Sequence, residues 1–519
     1  MKKQPSDYLE QLVLSMSRQE IRYFRIECKR QGEKAQYEHL FEAILKAGNS
    51  YDEKQARAGL AVRQLIPESN FPMAKQYLEK ALLRALRHYS EDHTIDNKIQ
   101  RLFEEGKLLT DRRLYQAGIK KFEKACKLAM DYERFAILTD ILERLIVDEV
   151  RYFHHSEGPE EYLMERYREK NRAMVLLQRQ SEYQQLLHQA FLLLQTKSKN
   201  QGDEAYAEQL DKLSQHPLLM DTSRATTFHA QLYLYHAKSI VASLMNKDPH
   251  ESLGYFRRIM ELWSDYPLMK GYRPEMNIIY TGNYLTKAFE CQDYQHFKQY
   301  ITEVEGLNPR SVHDKMVQKR IVYLYKLVYY LNSLQLEAGM HLAEEVEATI
   351  DALWAENSTF GVRNDMLMFY NMALIYFFAE QFDEALRLVK KIMDKYRQSP
   401  VRPDIRLFMW VFRQALYFEL GEFDVLANTQ PYAENKLKNN ERFTAFEEKM
   451  IRHFRELGKN PPDRKELVAL FQAFLQDLEA FGTKYHHIVG KKELIIWAKS
   501  RISGQSMAEV FKDIMQPLS

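Results

Sequence analysis

Cysteine is nearly absent from this chain: Cys28, Cys126 and Cys291 are the three among 519 residues, far apart and odd in number. They supply neither a disulfide framework nor a CxxC pair for metal or redox chemistry, and such usage fits a reducing cytoplasm. Glycine and proline are also scarce, at 18 and 15 residues, so the turn clusters that a many-stranded sheet requires are missing. No window reaches the roughly 18 uninterrupted apolar residues of a membrane span. The opening MKKQPSDYLE has two lysines without the apolar stretch of an export signal behind them. A cytoplasmic protein without membrane contact is expected. Also missing are GxxxxGK[ST] and GxGxxG, HExxH, HxE with PCxxC, and GxSxG, so no phosphate loop, zinc site or nucleophile elbow is indicated. The expectation is a protein that is not an enzyme and holds no cofactor and no metal.

What is there is a helix-forming palette rich in Leu, Ala, Glu, Lys and Gln. A chain of this length exceeds the size of a single globular core, so several domains or an extended solenoid must account for it. Formal net charge is +2, but residues 1–130 hold 25 Lys and Arg against 18 Asp and Glu, and the remainder 49 against 54. That asymmetry is too mild to imply nucleic acid by itself.

A pattern recurs along the chain. Phe369, Ala373, Tyr376, Phe382 and Ala385 fall at successive offsets of 4, 3, 6 and 3, and Leu102, Gly106, Leu109, Tyr115 and Gly118 repeat them before Phe122 and Ala125. Small residues at 106 and 118 let two helices approach closely while the bulky ones fill the space around them. The template returns at Tyr323, Leu327, Tyr330, Gly339, Ala343 and Val346, and at Trp410, Gln414, Tyr417, Phe423 and Leu426, where Pro431 interrupts the second helix. A looser copy runs through Tyr280, Tyr284, Lys287, Tyr294, Phe297, Ile301 and Val304. This spacing resembles the tetratricopeptide repeat, over about 95–440, although the first anchors lie 43, 46 and 41 residues apart instead of the family's 34. The resemblance implies an all-α fold, an α-α superhelix of antiparallel helix pairs, and a non-catalytic scaffold that binds a protein or peptide.

Outside the repeats, helices are expected over about 131–153, 160–197, 202–214, 222–246 and 249–265, with Asp248 capping the last ahead of Pro249. Ser17 and Glu20 form a capping box that opens a helix to about Arg30, followed by helices over about 36–46, 52–64 and 72–89. Residues 442–457 and the amphipathic stretch from Asp463 to Phe481 read as a solenoid cap. The resulting division is an N-terminal helical region 1–95, repeats 96–440 and a C-terminal cap 441–519.

In the family, first-helix positions between the framework residues line the concave groove. Here these are Leu324, Val328 and Leu331, then Tyr370, Leu374, Phe377 and Phe378, then Val411, Ala415 and Phe418. They are apolar where solvent-facing residues should be polar, so either the groove receives an apolar segment of a partner or the chain covers it itself. A second reading is regulatory, with the repeats sensing a peptide: Arg18, Arg22, Arg25 and Lys29, spaced 4, 3 and 4, make one face of the first capped helix cationic and suited to nucleic acid or an acidic partner. The adjacent pairs His154–His155 and His486–His487 point about 100° apart on a helix and cannot chelate one ion together. Carboxylate pairs such as Glu104–Glu105, Glu344–Glu345 and Glu447–Glu448 read as solvated helix faces, and the tyrosines at 323, 325, 329 and 330 as helix packing.

Overall fold

Helix-forming composition is realised throughout: the chain is all-α, 85% helix, with packed helix pairs consistent with an α-α superhelix and no strand among the described residues. The computed structural model describes residues 7–30, 36–91, 94–152, 159–197, 203–309, 311–355, 358–397, 399, 401–429, 445–458, 464–481 and 488–514. The pairs His154–His155 and His486–His487, together with Pro431 and Asp463, lie outside them. Two compact units are formed, residues 1–292 with 308–315, and residues 293–307 with 316–519.

In the first unit, α1 (Asp7–Leu14), α2 (Arg18–Arg30), α3 (Gln36–Ala47), α4 (Glu53–Val62) and α5 (Phe71–Glu91) enclose a core that includes Val13, Phe24, Phe41, Leu78 and Leu82. The capping box forms: Ser17 N donates to Glu20 Oε2 at 2.7 Å and Glu20 N to Ser17 Oγ at 3.3 Å. There follow α6 (Ile95–Asp111), α7 (Tyr115–Asp131), α8 (Phe135–Tyr152), the 38-residue α9 (Pro159–Thr196), α10 (Glu204–Ser214), α11 (Pro217–Met220), α12 (Phe228–Leu244), α13 (Pro249–Asp265), α14 (Pro267–Tyr272) and α15 (Pro274–Glu290). Between α6 and α7 the expected close approach is present. A Cβ on Gly106 would overlap the Phe122 ring; one on Gly118 would overlap the Thr110 methyl and lie 3.0 Å from the Gly106 carbonyl oxygen. Backbone cannot move aside as a flexible side chain can, so the seam requires glycine at 118.

Glu133 does work that no sequence pattern announced. It sits in the left-handed region (φ 52°) between α7 and α8 and reaches the N-terminus of α12. Its carboxylate accepts the backbone N–H of Phe228 at 2.5 Å and of His229 at 3.0 Å, and lies 2.8 Å from His229 Nδ1. An anion at a helix start satisfies orphan donors and the helix dipole together, which fixes where α12 enters.

One titration is built into this unit. His236 on α12 is enclosed by the rings of Phe191, Phe256 and Tyr280 and shares a 3.1 Å hydrogen bond with the Tyr280 hydroxyl. Burial pushes its pKa down to about 4. The unfolded chain therefore takes up a proton near pH 6.5 that the folded chain refuses until about pH 4, and stability falls as pH drops through that window. At 1.36 kcal/mol per pKa unit the loss is about 3 kcal/mol. Glu347 on the second unit, held down to about 2 by Arg387 and Lys391, has the other carboxylate pattern: its stabilisation is present above about pH 4.5 and is lost only below it. Urea unfolding between pH 7 and 5 is thus expected to weaken in the wild type, and His236→Phe to remove most of that slope. An unchanged slope in the variant refutes the assignment.

The second unit is built from α16 (Phe297–Glu305), α17 (Val312–Asn332), α18 (Leu336–Ala355), α19 (Val362–Phe378), α20 (Phe382–Lys395), α21 (Pro403–Glu419), α22 (423–429), α23 (Ala445–Leu457), α24 (Arg464–Ala480), α25 (Lys491–Ser503) and α26 (Met507–Ile514). The first residues of α17, up to Lys315, belong to the first unit. The loosest repeat, 280–304, is therefore divided, with α15 in the first unit and α16 in the second, where Phe297 meets Tyr325 at 5.7 Å. One apolar core runs from Tyr323 to Phe511.

The helix pairs share one turn. Four residues after the third framework position, and two before the turn residue, the chain enters the left-handed region at Arg113, Leu334, Glu380 and Gly421. The next amide then donates back to the framework residue's carbonyl: Leu114 to Leu109 at 2.9 Å, Gln335 to Tyr330 at 3.0 Å, Gln381 to Tyr376 at 2.9 Å and Glu422 to Tyr417 at 2.9 Å. This six-to-one bond is the Schellman closure, which satisfies a carbonyl that the ending helix leaves orphaned. Glycine fills the left-handed position once. The other three residues accept a strain of about 1 kcal/mol each, offset by the bond.

Candidate functional site

The repeats explain why the groove positions are apolar. Framework residues Phe369, Ala373 and Tyr376 belong to the seam of helix pairs, while Tyr370, Leu374, Phe377 and Phe378 occupy the rest of α19, leaving it apolar all round. Such a helix must be covered on every side, and the chain supplies the cover. Phe378 meets Phe511 of α26 at 5.5 Å; Phe418 meets Phe471 of α24 at 5.6 Å and Trp497 of α25 at 5.9 Å. The Tyr370 hydroxyl lies 3.3 Å from Glu493, and desolvation raises its pKa well above the usual range. Val328, Leu331, Leu374, Phe377, Phe378, Val411, Ala415 and Phe418 are all buried; Leu324 is half-buried and packs against the same core. Tyr370, Phe378 and Phe418 meet α24, α25 or α26, so of the two alternatives the chain's own cover is the one present at these positions.

Polar anchors fix the cover. Trp497 Nε1 donates to Glu419 Oε1 at 2.5 Å, and Arg501 pairs with the same carboxylate at 2.8 Å. Burial pushes the Glu419 pKa up, against the pull of these two donors. Met507 N donates to Glu380 Oε1 at 3.3 Å, so the left-handed residue of one repeat turn also caps α26. The sequence predicts a helical cap over 441–519 but resolves helices in it only over 442–457 and 463–481, and α25 and α26 lie beyond these. The signal was present in the apolar set Leu494, Ile496, Trp497, Met507, Val510 and Phe511.

Arg18, Arg22, Arg25 and Lys29 of α2 are exposed, on the side turned away from Phe24. Arg25 is engaged by Glu42 through two bonds of 2.7 and 2.8 Å, which leaves Arg18, Arg22 and Lys29 for any partner. The carboxylate pair Glu104–Glu105 is engaged in the helix surface: Glu104 with Lys107 at 2.7 Å, and Glu105 with Lys121 across the α6–α7 seam at 2.5 Å. Burial raises the pKa of Cys28 to about 11 and that of Cys126 to about 12, so neither presents a thiolate near neutral pH. No group of three or more His, Cys, Asp or Glu residues converges among the described residues, and no described helix is long and apolar enough to cross a membrane.

An uncovered feature lies in the N-terminal bundle. Two adjoining clefts of about 210 and 320 Å3 run along α5, sharing Tyr37 and Tyr77 as walls, with α2 and α3 opposite. Ala74, Ala81 and Ala85 make the floor, and Met73 and Tyr77, each 56% exposed, stand on the rim. Sequence analysis passed over this groove. Its trace was that Met73 and Tyr77 fall outside the core stripe of Phe71, Ala74, Leu78, Leu82 and Ala85. No family model, no curated protein and no solved structure is similar to the chain.

Proposed function

We propose that this chain is a non-catalytic scaffold of tetratricopeptide-like repeats that holds a protein partner in a reducing, cytoplasmic compartment. The reading is supported above all by the turn repeated at Arg113, Leu334, Glu380 and Gly421, which has one geometry at one register within the spaced framework. Three free cysteines support the compartment. Because α24, α25 and α26 pack on Tyr370, Phe378 and Phe418, this reading gives the partner surface that the described residues leave uncovered. Affinity capture of the full chain from its host's lysate, at low and high salt and with nuclease, tests the scaffold. A stoichiometric protein retained after nuclease treatment is the expected result; retention of nucleic acid alone shifts the reading to the basic face of α2, and retention of nothing removes it.

A further inference from the structure

The groove along α5 has a chemical direction. Residues 73, 77, 80, 84 and 88 succeed one another at helical spacing on its rim: apolar Met73 and Tyr77 at one end, then Lys80, Arg84 and His88. From 73 to 88 the helix advances about 22 Å, the length of four turns. Exposed Met73 and Tyr77 leave apolar surface unburied beside an alanine floor, where a partner's side chain can enter without displacing any of the described residues. Lys80 and Arg84 are exposed and make no ion pair or hydrogen bond with the described residues. On the opposite side of α5, Lys75 is taken by Glu53 at 2.6 Å, and across the bundle Arg25 is taken by Glu42. Those cations are paired, whereas Lys80 and Arg84 leave two positive charges on the groove rim without a carboxylate partner among the described residues.

We propose that this groove docks an acidic amphipathic helix of a partner protein, seating an apolar anchor between Tyr37 and Tyr77 and its carboxylates on Lys80 and Arg84. Helix-in-groove recognition uses anchors at i, i+3 or i+4 and i+7, which the four-turn length accommodates. Charge complementarity selects the partner's sign and sets its register, because only one orientation puts carboxylates at the basic end. A nucleic-acid strand fits less well. Two tyrosines offer stacking faces, but two free cations are few for a backbone track.

The inference rests on the protein-binding reading above and names the kind of partner. Its test is a display selection of random 16-residue peptides on the full chain, counter-selected on the K80E/R84E chain. Both substitutions are at exposed positions, and matching circular dichroism and Tm show that the variant folds. Enriched peptides are expected to carry Asp or Glu on one side of an apolar helical face, and to lose at least tenfold in affinity with K80E/R84E and again with Tyr77→Ala. Peptides held equally by the double variant, enriched peptides that are basic, an empty selection, or displacement of the peptides by a 20-nucleotide single strand each overturn the proposal. A host partner that K80E/R84E still captures also overturns it while leaving the scaffold intact; groove-dependent peptides without any host partner support the groove and count against the scaffold.

Discussion

Replacing Trp497 by alanine is expected to destabilise the second unit by about 3–5 kcal/mol, the range for emptying a large aromatic site in a core. The indole is fully buried and touches Phe418, Phe454, Phe471 and Phe474, with ring centroids 4.9 to 5.9 Å away from its own together with the nearest of them, Phe471. Its N–H is also one of the two donors that make a buried Glu419 tolerable. The two contributions separate experimentally. Trp497→Phe keeps most of the ring and removes the N–H, and leaving that acceptor partly unsatisfied costs about 1–3 kcal/mol. Urea unfolding followed by circular dichroism measures both. If Trp497→Ala shifts the transition by less than about 1 kcal/mol, α25 is a dispensable strap and not part of the core, and the groove beneath it opens cheaply to a partner. The expected larger loss makes the cover permanent.

How much of this was legible follows from the reach of each signal. Framework spacing reports a helix pair with its turn, and it located α6–α7, α17–α18, α19–α20 and the start of α21–α22, because small and bulky residues at fixed offsets encode a local seam. Caps are equally local: Ser17 and Asp248 announce α2 and α13, and each accepts a backbone N–H where expected. Contacts distant in sequence have no such code. Glu133 meets α12 some 95 residues on, and Glu419 meets Trp497 at a separation of 78, so a pattern reading sees two acidic residues in helix termini and nothing more. The groove positions show the boundary between the two cases. Their apolar character was plain in α19, whereas the identity of the cover depended on where α24, α25 and α26 fold back. Turn geometry was hidden for another reason: Arg113, Leu334 and Glu380 are poor residues for a left-handed position, and only Gly421 advertises one.

Phe377→Asp combined with Phe418→Asp is expected to unfold the second unit, and for that reason cannot serve as a binding-dead but folded variant. Phe377 is 1% exposed and packs edge-on against Phe378, Phe382 and Phe412 at 4.9 to 5.8 Å. Loss of that ring alone costs about 3–5 kcal/mol. A carboxylate left in its place has no cation within the cluster: it must enter ionised against a desolvation cost of several kcal/mol, or enter protonated after a large rise in pKa. Either route exceeds about 5 kcal/mol for Phe377→Asp alone, which is a large part of the stability of an ordinary domain. A surface groove responds differently, since an exposed Phe→Asp changes stability by about 0.5 kcal/mol or less. Circular dichroism and limited proteolysis of the single variant therefore decide between the two. A folded, protease-resistant Phe377→Asp protein would mean that α19 faces solvent and that its apolar side is available for binding after all; loss of helix confined to the second unit places Phe377 in the core that α19, α20 and α21 share, and directs the search for a binding site to the rim of α5.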